Sequence, residues 1–304
     1  MERHYLQSIN YLFDAQQELL PIPTHITPKF SSKRDIKCVM FDIYGTLLIS
    51  RSGDIDKIKL SPSFILESFA KCGIKITTPN PGTCAEHIIK KYKSTIKKLK
   101  AHNPQKDAEK VEIDIRQVWE ILLEELFEES LIDKPRVDEV SLLAIFFETL
   151  SNSVYPMPHM KEIINWLRKR DIPMGIVSNA QFYTPIIMNY FLTSQTCMQE
   201  DIKFFDPELS VYSYKEKISK PDTALFVKAL DNCREKYKLQ DSEVLFVGND
   251  MLKDIYPANL AGMQTALFAG DARSLRLRED RAEVADLLPD YTINSLEQIT
   301  EIVL

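Results

Sequence analysis

Glycine is scarce in this chain, with eight residues in 304. None of them forms a Gly-x-Gly-x-x-Gly turn or a Walker-type loop, so the usual backbone cradles for dinucleotides and nucleoside triphosphates are missing. Cysteine is also thin: five residues, at 38, 72, 84, 197 and 233, odd in number and scattered. No Cys-x-x-Cys or Cys/His pairing suggests zinc, and the expectation is reduced thiols in a cytoplasm. No apolar run approaches the roughly 18 residues that span a bilayer. The opening Met1-Glu-Arg-His-Tyr5 lacks the basic start, apolar core and small-residue cleavage site of a signal peptide. There is no basic excess either. A net charge of -6 gives no reason to expect nucleic acid as a partner. What remains is an ordinary globular composition, 44% hydrophobic and 27% charged, with room for one large domain or two smaller ones.

The most informative stretch runs Ile36-Lys-Cys-Val-Met-Phe41-Asp42-Ile-Tyr44-Gly-Thr46. An apolar run that ends in a lone carboxylate and a Gly-Thr turn reads as a strand buried on both faces. Its carboxylate then stands at the strand's carboxyl end, where open α/β sheets bind their ligands. A half-buried Asp42 without a partner would cost several kcal/mol, so a cation or fixed donors should face it.

Before this strand, residues 1–34 read as a helical extension, with Tyr5, Ile9, Leu12 and Phe13 at helical spacing and Pro21, Pro23 and Pro28 stopping the helix. After it, residues 52–153 show helical stripes only. Ser61-Pro62 is a helix start, and Thr83-x-x-Glu86 has capping-box spacing. Ile115, Val118, Trp119, Leu122 and Leu126 line one helix; Val140, Leu143, Ala144 and Phe147 line another. Pro79, Pro81, Pro104 and Pro135 punctuate the segment, which reads as an all-helical insertion. Lysines 90, 91, 93, 97, 98 and 100 could present charge to an anionic substrate, although a solvated helix face is the ordinary reading.

From residue 154 strands and helices alternate. Ile172–Val177 leads into Ser178-Asn179, Leu209–Tyr212 precedes Lys220-Pro-Asp222, and Glu243–Val247 leads into Gly248-Asn249-Asp250 with Asp254 four residues on. Strands at 265–268 and 291–293 follow. Helix-separated parallel strands with right-handed crossovers give a Rossmann-like, doubly wound α/β core, here residues 35–51 and 154–304. The carboxyl ends of parallel strands share one edge, so Asp42, Ser178, Asn179, Lys220, Asn249, Asp250 and Asp254 can converge. A carboxylate nucleophile, small hydrogen-bond donors, a lysine and a second acidic group suit phosphoryl transfer with magnesium.

These motifs, in this order and with this insertion, resemble the haloacid dehalogenase-like hydrolase superfamily. The resemblance implies Asp42 as nucleophile, Ser178 and Asn179 as oxyanion donors, and Lys220 as the group that steadies nucleophile and substrate. It also implies a helical cap domain over the site, a small, anionic substrate, and Mg2+ held by Asp42, the backbone carbonyl of Tyr44 and an acid after the later strand. Either Asn249 or Asp250 could face the metal; Asp250 is favoured because it is charged and lies four before Asp254. One departure concerns Tyr44, which stands where the superfamily's phosphatases carry a second aspartate as general acid/base. A phenol with a pKa of about 10 can donate a proton but activates water poorly. The Asp-x-Tyr-Gly-Thr form is similar to the 2-haloacid dehalogenases, yet no arginine stands near Cys72-Gly73 where those enzymes carry one. The expected activity is magnesium-dependent phosphoester hydrolysis. Dehalogenation, or ligand binding without turnover, is the alternative.

Overall fold

The apolar run that ends at Asp42 is strand β1 (Cys38–Phe41), with all four residues buried. The computed structural model describes residues 2–30, 35–53, 58–101, 110–135 and 139–303; Pro104 lies outside these. Beside β1 run β4 (Met174–Ser178), β5 (Ser210–Tyr212), β6 (Val244–Gly248), β7 (Gln264–Phe268) and β8 (Tyr291–Ile293). They form a six-stranded sheet in the order β5-β4-β1-β6-β7-β8. Every pairing is parallel, with Val39 opposite Met174 on one side and Leu245 on the other.

Because side chains alternate along a strand, β1 and β6 divide their residues between two cores. Val39, Phe41, Leu245 and Val247 join the larger cluster, whereas Cys38, Met40, Val244 and Phe246 pack with Phe226, Leu230 and Cys233 of α9 (Ala224–Tyr237). Helices cover both faces, and the strands are largely apolar for that reason.

The insertion holds helices α2 (Pro62–Cys72), α3 (Pro81–Ala101), α4 (Ile115–Glu128) and α5 (Glu139–Ser151). Ser61 and Asp114 cap α2 and α4 with their side-chain oxygens. The capping-box reading at Thr83 is corrected. The helix begins two residues earlier, and Asn80 accepts the Thr83 N–H at 3.2 Å. Pro81 at the first helical position favours that earlier start. Trp119 fills the centre of the cap, 5.0 Å from the Tyr92 ring and 5.1 Å from Phe147. Lys91 is taken up by Glu125 and Glu129 of the neighbouring helix, at 2.7 and 2.8 Å, while Lys90, Lys93, Lys97 and Lys98 face solvent.

Two strands too short to leave a sequence pattern join cap and core. These are β2 (Leu48–Ser50) and β3 (Val154–Pro156), paired antiparallel. Helix α1 (Glu2–Asp14) buries Ile9, Leu12 and Phe13, and it touches both α5 of the cap and α7 (Tyr183–Thr193) of the core. The chain after it runs along the far sheet edge, where Lys29 pairs with Thr292 of β8. The described part of this extension therefore contributes to the interior as well as to the surface.

Candidate active site

Asp42 begins where β1 ends, and its backbone N–H still bonds the carbonyl of Val247 at 2.9 Å. That bond sets the carboxylate at the sheet's carboxyl edge. Gly45 follows with a φ of 86°, a left-handed conformation that favours glycine, and a Cβ there would lie 2.6 Å from the Asn249 amide nitrogen. The turn is thereby pressed against the loop after β6.

Asp42 is buried, and its Oδ1 accepts two bonds, from Ser178 Oγ at 2.8 Å and from Lys220 Nζ at 2.8 Å. Among the described residues its Oδ2 accepts none. Lys220 also donates to Asp254 Oδ1 at 2.5 Å and to the Val177 carbonyl at 3.2 Å, so all three ammonium protons have acceptors. Burial works against the charge on Lys220, but Asp254 and Asp42 more than offset it, and the amine is held charged with its pKa raised. Burial likewise pushes Asp254 above the usual carboxylate range, against the pull of Lys220. The two backbone N–H groups that Asp254 Oδ2 accepts, from Asn249 and Asp250 at 3.0 Å each, favour its ionised form. We therefore describe Lys220 as a cation between two carboxylates.

The remaining sequence candidates are close by, with different partners. Asn179 clamps the backbone of Lys220, accepting from its N–H at 2.7 Å and donating to its carbonyl at 3.3 Å. Asn249 accepts from Thr46 Oγ1 at 3.2 Å and donates to the Ser274 carbonyl at 2.6 Å. Asp250 caps the turn after β6, accepting from the N–H groups of Leu252 and Lys253, and pairs with Arg278 Nη2 at 2.6 Å. Tyr44 hydrogen-bonds Thr184 Oγ1 at 2.9 Å. Burial raises its pKa, and so does the charge of Glu148 on α5, which acts more strongly than that of Asp42. Glu148 itself is pushed up to about 7 by burial, with hydrogen bonds from Tyr183 and Asn152 opposing the shift.

Arg278, Thr184 and Glu148 were not found by sequence reasoning. Arg278 lies in an irregular loop without periodicity, and Glu148 sits in a stripe whose apolar members dominate the pattern. No local signal marks either.

Gly248 is needed for close approach. A Cβ there would lie 2.5 Å from both Cβ and Cγ of Asp254. Gly248→Ala is expected to move Asp254 off Lys220 and to lower kcat by about 10²-fold, the scale of a displacement of about 1 Å at a reacting centre. Steady-state kinetics on a folded variant, checked by circular dichroism, measure this. An unchanged kcat would show that Asp254 is not needed to hold the lysine.

The model of haloacid dehalogenase-like hydrolases matches residues 36–262, which contain the cap insertion and Asp42, Ser178, Asn179, Lys220, Asn249, Asp250 and Asp254. The chain belongs to that family. A relative in Saccharomyces cerevisiae, the uncharacterised protein YMR130W, is 25% identical over 282 residues, covering 86% of this chain and 84% of its own. Among solved structures, a 2-haloacid dehalogenase from Pseudomonas syringae pv. Tomato superposes with a TM-score of 0.52 at 20% identity, covering 88% of this chain and 97% of that one. A HAD phosphatase from Thermococcus onnurineus gives 0.47 at 18%, with the same coverage. The family supports hydrolase chemistry on a Rossmann-like fold, and the solved structures include both phosphatase and dehalogenase. Among the described residues, no helix is long and apolar enough to cross a membrane.

Proposed function

We propose that this haloacid dehalogenase-like hydrolase is a magnesium-dependent phosphatase acting on a small phosphorylated molecule in the cytoplasm, with neither nucleic acid nor membrane as a partner. The observation that carries this reading is the state of Asp42. One oxygen is fixed by Ser178 and Lys220, and the other accepts no hydrogen bond among the described residues. That is the arrangement of a nucleophile held in place by a cation.

In this reading an Asp42 oxygen attacks phosphorus, the ester oxygen departs with the bonding pair and takes up a proton, and an aspartyl phosphate forms. Water then attacks the same phosphorus, which releases inorganic phosphate and returns Asp42 as a carboxylate. Lys220 and Ser178 hold the nucleophile through both steps, and the ammonium charge of Lys220 offsets charge gathering on the phosphoryl oxygens. Asn179 acts through Lys220, whose backbone it clamps.

The oxygen donors at this edge suit magnesium, which takes oxygen ligands and retains water. Asp42, the Tyr44 carbonyl and Asn249 would hold it. Asp250 and Asp254, also expected from the sequence as ligands, are here committed to Arg278 and Lys220. Asn249 therefore replaces Asp250 as the favoured ligand in this reading. Magnesium, when bound, neutralises phosphate oxygens.

Tyr44 limits which esters react. Its raised pKa makes the phenol a weaker proton donor and keeps it un-ionised, so a leaving group that needs no protonation should suffer least. Tyr44→Asp is expected to raise kcat/KM on alkyl phosphates at least tenfold more than on aryl phosphates, out of the roughly 10²–10⁴-fold that acid–base help supplies. Phosphate release from matched alkyl and aryl esters, with and without chelator, measures it. Turnover indifferent to chelator, or no relative gain on alkyl esters, would count against the mechanism. Release of halide from 2-haloacids in place of phosphate would favour the dehalogenase, the reading that Tyr44 itself supports.

A further inference from the structure

Two segments outside residues 36–262 meet beside the catalytic turn. Residues 20–24 of the extension lie against residues 269–273, which follow β7. Asp271 is the centre of that contact, with 1% of its surface exposed. Its Oδ1 accepts from the Ile22 N–H at 2.8 Å and from the Arg273 N–H at 3.3 Å, while its Oδ2 faces the Arg273 guanidinium at 3.9 Å. In return the Ile22 carbonyl accepts from the Ala272 N–H at 2.8 Å. Leu20 accepts from Arg273 Nη2 at 2.6 Å, and Thr24 Oγ1 donates to the Ala269 carbonyl at 2.5 Å. Together these bonds pin the base of the loop.

The rest of the same loop holds the site. The Asp271 carbonyl accepts from the N–H groups of Ser274 and Leu275 at 3.1 and 3.0 Å, which closes a tight turn. Ser274, buried in that turn, offers its carbonyl to Asn249 Nδ2 at 2.6 Å. A Cβ at Gly45 would lie 2.7 Å from the Ser274 Cβ, so this turn and the one after Asp42 are in close contact. Arg276 exchanges backbone bonds with the β6 turn, donating to the Asn249 carbonyl at 3.0 Å and accepting from the Met251 N–H at 2.9 Å. With its nitrogen committed to Ser274, the Asn249 amide presents its oxygen in one direction, toward Thr46 and the turn after Asp42. We propose that Asp271 is a positioning residue: with residues 20–24 it sets the Ser274 turn, and that turn orients Asn249 as a magnesium ligand. This role rests on the reading of Asn249 as a ligand and deepens it. A ligand already held in place loses less freedom on binding, so the effect falls on metal affinity.

Isothermal titration calorimetry with magnesium chloride on the purified, substrate-free protein tests this. Asp271→Ala is expected to weaken magnesium binding by about tenfold, the lower end of what an outer partner of a metal ligand contributes. Thr24→Val removes one bond of the extension and keeps the side chain's shape. It should weaken binding by about threefold, and it carries the test where Asp271→Ala does not fold. Ile9→Ala is the control, because Ile9 is fully buried on α1 and makes none of these bonds. It should lower the unfolding midpoint and leave magnesium affinity unchanged. Unchanged affinity in a folded Asp271→Ala, or in Thr24→Val, overturns the inference. An equal loss of affinity in Ile9→Ala overturns it too, since general destabilisation would then suffice. In both cases binding by the wild type leaves the magnesium reading standing. A wild type that binds no magnesium removes both.

Discussion

Replacing Asp42 by Asn is expected to abolish turnover, by at least about 10³-fold in kcat, while leaving the fold intact. The amide is nearly the same shape and can still accept from Ser178 and Lys220 through its oxygen, but it is not a nucleophile. Lys220 retains a full countercharge in Asp254 at 2.5 Å, so the ammonium is not stranded. Loss of activity with an unchanged far-ultraviolet spectrum and unfolding midpoint is the expected result. Substantial residual activity in the purified variant would assign the attack to another group.

Lys220→Met is expected to act on stability as much as on catalysis. The side chain is 3% exposed and is the cation between two buried carboxylates. Removing one partner of such a group leaves uncompensated charge behind, at a cost of about 3–5 kcal/mol. The pH dependence of that deficit has a definite sign. Asp254 is already raised above its unfolded value by burial, and Lys220 is the group that pulls it down. Without the lysine its folded-state pKa rises further. A carboxyl raised in this way contributes stability at pH below its unfolded value of about 4 and loses it as the pH climbs through the folded value. Urea unfolding of Lys220→Met against wild type should therefore show a small deficit near pH 5 and a larger one near pH 8. A deficit independent of pH would mean that Asp254 does not carry the stranded charge.

The residues of this site that the sequence placed most plainly share one physical property: each stands at the end of a continuous apolar run. Asp42, Ser178 and Asn249 could be placed because a strand buried on both faces leaves an unmistakable run and the topology fixes which end is shared. Lys220 was harder, since the short helix at 213–216 separates it from its strand, and the order of the motifs placed it. What each side chain would bond to was not legible. The commitment of Asp250 to Arg278 depends on an irregular loop from residue 269 onward folding back across the β6 turn, and the grip of Asn179 on Lys220 depends on two loops 41 residues apart. The cap's helices were legible from their stripes, but Glu148 went unnoticed among Ile145, Phe146 and Phe147. Strands β2 and β3, with three residues each, are too short for alternation to show. The extension was read as a helix stopped by prolines; its helix touches both cap and core, and the chain after it reaches β8.

The most direct measurement of the covalent mechanism is peptide mass spectrometry of enzyme quenched in acid during turnover of a phosphoester in 18O-water with magnesium. A phosphoryl group on the peptide containing Asp42, with no 18O in its carboxylate, is the expected result, because water attacks phosphorus and not the aspartyl carbon. Label incorporated into the Asp42 carboxylate, or phosphate released with neither phosphoryl group nor label on that peptide, would contradict it.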